Sequence, residues 1–311
     1  MVLAKTNSIP VKAWMNAFRV PFTTVAVVPF AVGVFLAHAN GASVLWPASL
    51  AGVVAVFLIC AGCYLLGEVC DQVEDRKTIA VGRTPFSGGT LAVVSGVLSS
   101  RSVSTVAIFC FAVAALLGGY IVYVQHALWL LALGAFGALS AITYSLPPVR
   151  LVRRGVGEIF IGVCYGWLTV VTGYACATGK MPPGSFVWFW PMALSIFNVI
   201  LINEFPDYTP DITSGKTNLL VRTGRERGAM IYGAVSLLTA VSLAVIWCRY
   251  HFMSLPHLAV IVPGALLSLI LGSLVLFGGR WRSIKALEPV CALTIVLNHV
   301  TSLTVAALVR W

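Results

Sequence analysis

The sequence predicts an all-α membrane protein, and three observations carry that prediction. Hydrophobic residues make up 59% of the 311-residue chain and charged residues only 10%. The apolar residues come in runs of about 20, long enough for a helix to cross the roughly 30 Å hydrocarbon core of a bilayer. The basic residues are confined to the segments between those runs and fall unevenly on alternate ones. A mean hydropathy of +0.95 sets a soluble domain aside. A membrane β-barrel would show short alternating segments instead.

Nine spans are expected, near 14–38, 43–70, 103–124, 127–147, 155–178, 185–207, 228–248, 257–278 and 286–309, in a single polytopic domain covering 1–311. The loops then sort into two sets. One holds 17 lysines and arginines; the other holds only Lys180, Arg249 and Arg310. Cytoplasmic loops carry the excess of positive charge, so the N-terminus is expected in the cytoplasm and the C-terminus on the far side. The same rule accounts for the net charge of +10 without a nucleic acid, with anionic lipid headgroups as the partner. The leader Met1–Lys12 lacks a cleavable signal pattern and reads as a short cytoplasmic or interfacial segment.

Taken in order, the first span opens on FRVPF, which contains Arg19. The second contains Cys60 and Cys63, a CxxC pair read as small buried hydrophobes because it lies in an apolar helix. That span ends in GEVCDQVED, with Glu68, Asp71 and Asp75, and is followed by a long loop carrying RKTIAVGRTPFSGG. The fourth span ends at a Pro-Pro pair, which cannot continue a helix, and YSLPPVRLVRRG then supplies Arg150, Arg153 and Arg154. The sixth ends in NEFPDYTPDITSGKTN, with Glu204, Asp207 and Asp211. In the last span Asn298 and His299 read as a buried hydrogen-bonded pair.

The two acidic stretches are related. Each acid of the first recurs 136 residues later in the second, and with Glu74 the two stretches hold seven of the chain's ten acids. On a helix the i, i+3, i+7 spacing keeps three carboxylates within roughly a 60° arc. Both stretches end even-numbered spans, so both lie at the cytoplasmic ends of helices running the same way, as in a parallel repeat. Ordinary solvated loop acids would have no reason to share spacing and direction. Carboxylates this close repel and raise one another's pKa, and a bound divalent cation relieves the repulsion. An all-oxygen donor set suits Mg²⁺ or Mn²⁺ rather than zinc. Mg²⁺ completes its shell with water and phosphate oxygens, so two facing clusters would clamp a diphosphate. At the mouth of an apolar bundle, that diphosphate is expected to carry a prenyl tail. Metal ions withdraw charge from a departing diphosphate, and Tyr64, Tyr144, Phe160, Tyr165 and Trp167 are candidates to shelter the allylic cation. A cation or proton transporter would place its acids near the midplane and open to both sides, whereas here all ten fall on one side.

These motifs together resemble the UbiA superfamily of intramembrane prenyltransferases, and within it the MenA-like branch. The resemblance covers nearly the whole chain: FRVPF, the first acidic motif, RTPFSGG, YSLPPVRLVRRGVGE and NEFPDYTPDITSGKTNLLVRTG. It implies nine transmembrane helices in a bundle around a central cavity. By that resemblance Asp71, Asp75, Asp207 and Asp211 are the catalytic aspartates, and with Glu68 and Glu204 they bind metal. Arg19, Arg83, Tyr144, Arg150, Arg153, Lys216 and Arg222 are expected at the diphosphate, and Tyr64, Asn198 and Asn203 in the substrate pocket. The expected reaction is Mg²⁺-dependent transfer of a prenyl chain to an aromatic acceptor, with 1,4-dihydroxy-2-naphthoate of quinone biosynthesis first in line and a nearby carboxylate taking up the ring proton. The expected setting is a bacterial or archaeal inner membrane. One departure stands out: the first motif opens Gly67-Glu68 where the family commonly has Asn-Asp, which removes one polar contact and keeps open a membrane terpene cyclase, acting on the diphosphate without an acceptor.

Overall fold

The computed structural model describes residues 11–81, 84–184, 188–251 and 255–309. Among them a helix lies over each of the nine expected segments, and no strand occurs. The chain runs α1 (Val11–Ala17), α2 (Val20–Ala39), α3 (Trp46–Cys70), α4 (Gln72–Val81), α5 (Ser100–Gln125), α6 (Leu130–Ser145), α7 (Gly157–Thr178), α8 (Trp190–Thr213), α9 (Leu219–Thr223), α10 (Arg225–His251), α11 (Leu255–Leu276) and α12 (Ile284–Leu308).

Seven of these are long and apolar enough to cross a membrane: α2, α3, α5, α7, α10, α11 and α12. The expectation of nine is therefore met by seven on length and composition. The other two depart for different reasons. Helix α6 has 16 residues, about 24 Å at 1.5 Å per residue, shorter than the hydrocarbon core. Helix α8 is long enough but carries Glu204, Asp207 and Asp211 in its last turns. It also runs past the expected end at 207 to Thr213, so the whole second acidic motif is helical.

Other boundaries differ from the sequence reading. The first expected span is two helices, broken at Arg19, whose backbone is left-handed (φ 48°) just before Val20 and Pro21 open α2. Part of the long loop after the second span is helical, as α4. Residues 185–187 of the expected sixth span, and the leader up to residue 10, lie outside the described residues.

Packing follows small residues, as is usual where helices meet in a bilayer. Helices α2 and α7 touch backbone to backbone: a Cβ on Gly33 would strike the carbonyl of Val170, and one on Gly173 the carbonyl of Phe30. The core around them includes Phe30, Leu36, Val170, Val171 and Met192. Buried polar side chains pair between helices. Asn298 donates to Ser195 Oγ at 2.9 Å, tying α12 to α8. His299 Nε2 lies 3.1 Å from Thr24 Oγ1 on α2. Each of these two neighbours thus bonds a different helix rather than its companion.

Candidate active site

The ends of α3 and α8 meet around a cavity of about 170 Å³. Its wall takes Tyr64, Glu68 and Asp71 from the first half, Asn203, Glu204, Asp207 and Asp211 from the second, and Arg19, Tyr144 and Lys216 from the segments beside them. Gly88 and Gly89 of the TPFSGGT loop close one side. Ten of the expected site residues therefore share one wall.

The carboxylates do not share one environment. Glu68 Oε1 accepts from the backbone N–H of Thr90, and Asp207 Oδ2 from that of Gly88 at 2.6 Å. Asp211 is met by Lys216 Nζ at 3.3 Å and by Asn218 Nδ2 at 2.8 Å. Glu74, outside the cavity wall, pairs with Arg153. One oxygen on each of Glu68, Asp71, Asp75, Glu204 and Asp207 is buried with no hydrogen-bond partner among the described residues. An uncompensated buried carboxylate is costly. Burial, with Glu74 adding repulsion, pushes Asp71 up to about 6 despite Lys216, Arg153 and Arg150. Burial, then Glu68 and Asp71, push Asp75 up to about 8. For Lys216 burial acts downward, but Asp211, Asp71, Glu204 and Asp207 outweigh it and hold the ammonium above the usual lysine range.

Several expected residues lie elsewhere. Asp75 is buried behind the cavity, against Gly89. Arg150 donates to the Cys70 carbonyl at 3.4 Å. Arg153 is engaged by Glu74, and its loop is tied by Thr217 Oγ1 donating to the Arg153 carbonyl. Arg222 bonds the carbonyl of Thr217 at 2.7 Å on an exposed surface. None of these three arginines lines the cavity. Asn198 is fully buried on the opposite side of α8, donating to the Tyr232 carbonyl at 3.1 Å and to Ser236 Oγ at 3.0 Å. Arg83 lies outside the described residues.

The sequence reading missed Glu158 and Asn218. Glu158, 1% exposed at the start of α7, accepts from the Leu219 N–H at 2.8 Å. Asn218 both reaches Asp211 and caps α9 through Val221 N–H at 2.9 Å. Both sit inside quoted motifs, Glu158 at the end of YSLPPVRLVRRGVGE and Asn218 in GKTN just after the second acidic stretch.

A second cavity of about 310 Å³ adjoins the first, sharing Cys63, Tyr144, Ile161 and Tyr165 with it. Its wall is almost wholly apolar and reaches Gly118 on α5 and Gly134 on α6. Of the aromatic candidates, Tyr64, Tyr144 and Tyr165 line the polar cavity and Phe160 the apolar one, while Trp167 packs in the core.

The fold and the site define a membrane-embedded helical bundle in which a carboxylate-walled pocket adjoins an apolar chamber. The model of the UbiA prenyltransferase family matches residues 26–289, and the chain belongs to that family. It is a prenyltransferase. The 1,4-dihydroxy-2-naphthoate octaprenyltransferase of Mycobacterium tuberculosis is 30% identical over 249 residues, 78% of this chain and 82% of the relative. The 2-carboxy-1,4-naphthoquinone phytyltransferase of Synechocystis is 25% identical over 244 residues, 76% and 74% of the two chains. Among solved structures, a UbiA homolog from Archaeoglobus fulgidus bound to GPP and Mg²⁺ superposes with a TM-score of 0.63 at 16% identity, covering 95% of this chain and 99% of that one.

A divalent metal fits the residues present. Among the described residues no three acids or thiols converge tightly enough to cage an ion, which departs from the expected three-carboxylate clusters. The unpartnered oxygens instead fit ions held by one or two carboxylates of each motif, with the rest of the shell left for water and phosphate oxygens.

Proposed function

We propose that this protein transfers a polyprenyl chain from its diphosphate to 1,4-dihydroxy-2-naphthoate, with Mg²⁺, at the cytoplasmic face of a bacterial or archaeal inner membrane. One observation carries the reading: a pocket walled by both acidic motifs and Lys216 adjoins an apolar chamber, with Cys63, Tyr144, Ile161 and Tyr165 lining both, so an anionic head and a hydrocarbon tail each have a matching compartment. The named naphthoate prenyltransferases among its relatives support the acceptor. The 17-to-3 division of basic residues supports the orientation.

Asp71, Asp207 and their neighbours Glu68 and Glu204 would hold the metal. Bound there, the metal would supply Lewis-acid stabilisation of the departing diphosphate. Lys216, kept protonated by four carboxylates, gives a fixed positive charge on the wall, and Arg19, stacked over Phe22 at 4.4 Å, gives a second. The tail would run past Tyr144 and Tyr165 into the apolar chamber. Where the two compartments meet, the rings of Tyr144 and Tyr165, with Tyr64 on the polar side, would shelter the allylic cation. The aromatic ring attacks that cation. The donor's C–O bond breaks first, its electron pair leaving with the diphosphate; the ring carbon then supplies the pair for the new C–C bond, and the proton on that carbon passes to a nearby carboxylate, which restores the aromatic ring. Asp75, Arg150, Arg153 and Arg222 act from behind this wall, by holding the segments that build it.

The test is turnover of purified protein in detergent with geranylgeranyl diphosphate and Mg²⁺, with and without dihydroxynaphthoate, read by mass spectrometry. A prenylated aromatic that requires both acceptor and metal is the expected product. A cyclic hydrocarbon or alcohol formed without acceptor would replace the transferase reading with a cyclase.

A further inference from the structure

The loop from Thr84 to Thr90 touches both acidic motifs at once. It is fixed at its start by its own side chains: Thr84 Oγ1 accepts from the N–H groups of Phe86 and Ser87, each at 3.1 Å. Ser87 Oγ in turn accepts from Thr84 N–H at 3.2 Å. Phe86 anchors it, meeting Phe22 edge-on with ring centroids 6.5 Å apart. From this base the backbone turns through Gly89, whose φ of +61° suits glycine. A Cβ there would run into the Asp75 carboxylate. The turn presents two N–H groups, two residues apart, to carboxylates on two different helices: Gly88 to Asp207 on α8 and Thr90 to Glu68 on α3. In each of these side chains the other oxygen has no partner among the described residues, and both residues line the polar cavity.

We propose that the Gly88 and Thr90 amides are positioning groups that fix the two motifs' carboxylates relative to one another for divalent-metal binding. Each amide engages one oxygen and leaves its mate for the ion. Loop and metal then bind opposite sides of the same carboxylates, so metal affinity depends on the loop. Partners of this kind, bonded to a ligand rather than to the metal, typically carry 10- to 100-fold in affinity. The inference rests on the metal–diphosphate reading above, and its test is arranged to fail separately.

Mn²⁺ binding to the full-length protein in detergent, without substrate and followed by electron paramagnetic resonance, gives the first readout. Gly88→Pro removes the N–H. Gly88→Ala keeps it and has room, since its Cβ would sit 3.5 Å from Asp207 Oδ2. The expected result is Mn²⁺ affinity roughly 10- to 100-fold weaker in the proline variant and close to wild type in the alanine variant. Equal affinity in wild type and Gly88→Pro overturns the proposal while leaving the metal reading intact. Absence of Mn²⁺ binding by wild type overturns the metal reading itself. The second readout needs neither a proline nor a metal: hydrogen exchange of the 84–90 amides in metal-free wild type, Glu68→Ala and Asp207→Ala. Hydrogen bonds to charged groups are worth enough that exchange should accelerate about tenfold or more in each variant. Exchange that ignores both substitutions overturns the proposal, even if Gly88→Pro fails to fold.

Discussion

The two acidic motifs share one spacing but not one backbone. In the second, Glu204, Asp207 and Asp211 ride on a single helix, α8, that continues through Pro206 and Pro210 to Thr213. In the first, α3 stops at Cys70, Asp71 takes the step between helices (φ −104°, ψ 19°), and Asp75 belongs to α4. Hydrogen bonds from Asp71 N–H to Gly67 and from Asp75 N–H to Asp71, each 2.9 Å, keep the register across the break. Their partners differ as well. Asp211 has a cation and an amide on its two oxygens, whereas Asp75, at the matching position, keeps an unpartnered buried oxygen. The difference teaches that the repeat preserves where the middle acid sits, since Asp71 and Asp207 both reach the cavity, and lets the third acid diverge.

If the middle acids are the shared element, removing either should give the largest effect. Asp71→Ala and Asp207→Ala are each expected to cut turnover by more than the roughly 100-fold that an outer partner carries, with the folded protein retained in detergent. Wild-type rates in both would dissolve the pairing and the metal reading with it.

The cations beside the motifs sharpen the contrast. Lys216 stands on the cavity wall by the second motif, and Arg153 stands behind the first. Lys216→Ala is expected to lower kcat and raise the KM for the prenyl diphosphate, together roughly 10- to 100-fold in kcat/KM, the worth of one or two charge-assisted hydrogen bonds. Arg153→Ala should instead appear in stability, by about 1–3 kcal/mol, because it strands the buried Glu74. Steady-state kinetics and thermal unfolding of the two variants separate the roles; the reverse pattern would exchange them.

Two acids of the first motif, Asp71 and Asp75, stand outside the spanning helices and set one window of titration. Asp71 near 6 and Asp75 near 8 lie above the ordinary value of about 4. Between about pH 4 and pH 8 the metal-free native state therefore holds more protons than the unfolded chain. Its stability falls as pH rises through that window and is regained on acidification. Mg²⁺ favours the ionised forms, so its stabilising increment should grow over the same range. Thermal unfolding at pH 5, 7 and 9, with and without Mg²⁺, checks both signs. Asp75→Asn should flatten the metal-free slope more than Asp211→Asn, since Asp211 is compensated by Lys216 and Asn218. An unfolding temperature of the metal-free protein that climbs with pH would contradict this.

What was legible in the sequence was local. Helical periodicity placed Glu204, Asp207 and Asp211 on one face, and the length of the apolar runs placed helices over the expected spans. The same arithmetic puts Asn198 about 180° from Asp207 at 100° per residue, and there it meets Tyr232 and Ser236, so the expectation of Asn198 in the pocket ran against the periodicity. The arginines were harder. Arg150, past the end of α6, has a left-handed backbone, and Arg222 turns back on Thr217. Loop side chains take their direction from tertiary contacts that composition does not encode. The role of 84–90 was hidden for a related reason: its contacts to Glu68 and Asp207 are made by backbone N–H groups, which every residue but proline carries.

The smallest expected effect concerns Pro206, one of the two prolines that the second motif has and the first lacks. Pro206 offers no N–H, so the Ile202 carbonyl one turn earlier is free of the helix ladder, and the Cys291 thiol on α12 donates to it at 3.8 Å. Pro206→Ala would restore a helical N–H for that carbonyl while returning freedom to the unfolded chain. These terms oppose each other, so the net change should stay within about 1 kcal/mol, with kcat within severalfold of wild type because α8 already carries Asp207 to the cavity as a continuous helix. Thermal unfolding and kcat of the variant test this together. A tenfold loss of kcat at unchanged stability would mean that the missing hydrogen bond at Pro206 aims Asp207 as the break at Asp71 aims the first motif. The two halves would then use the same device, a local gap in the helical hydrogen bonds, built from different residues.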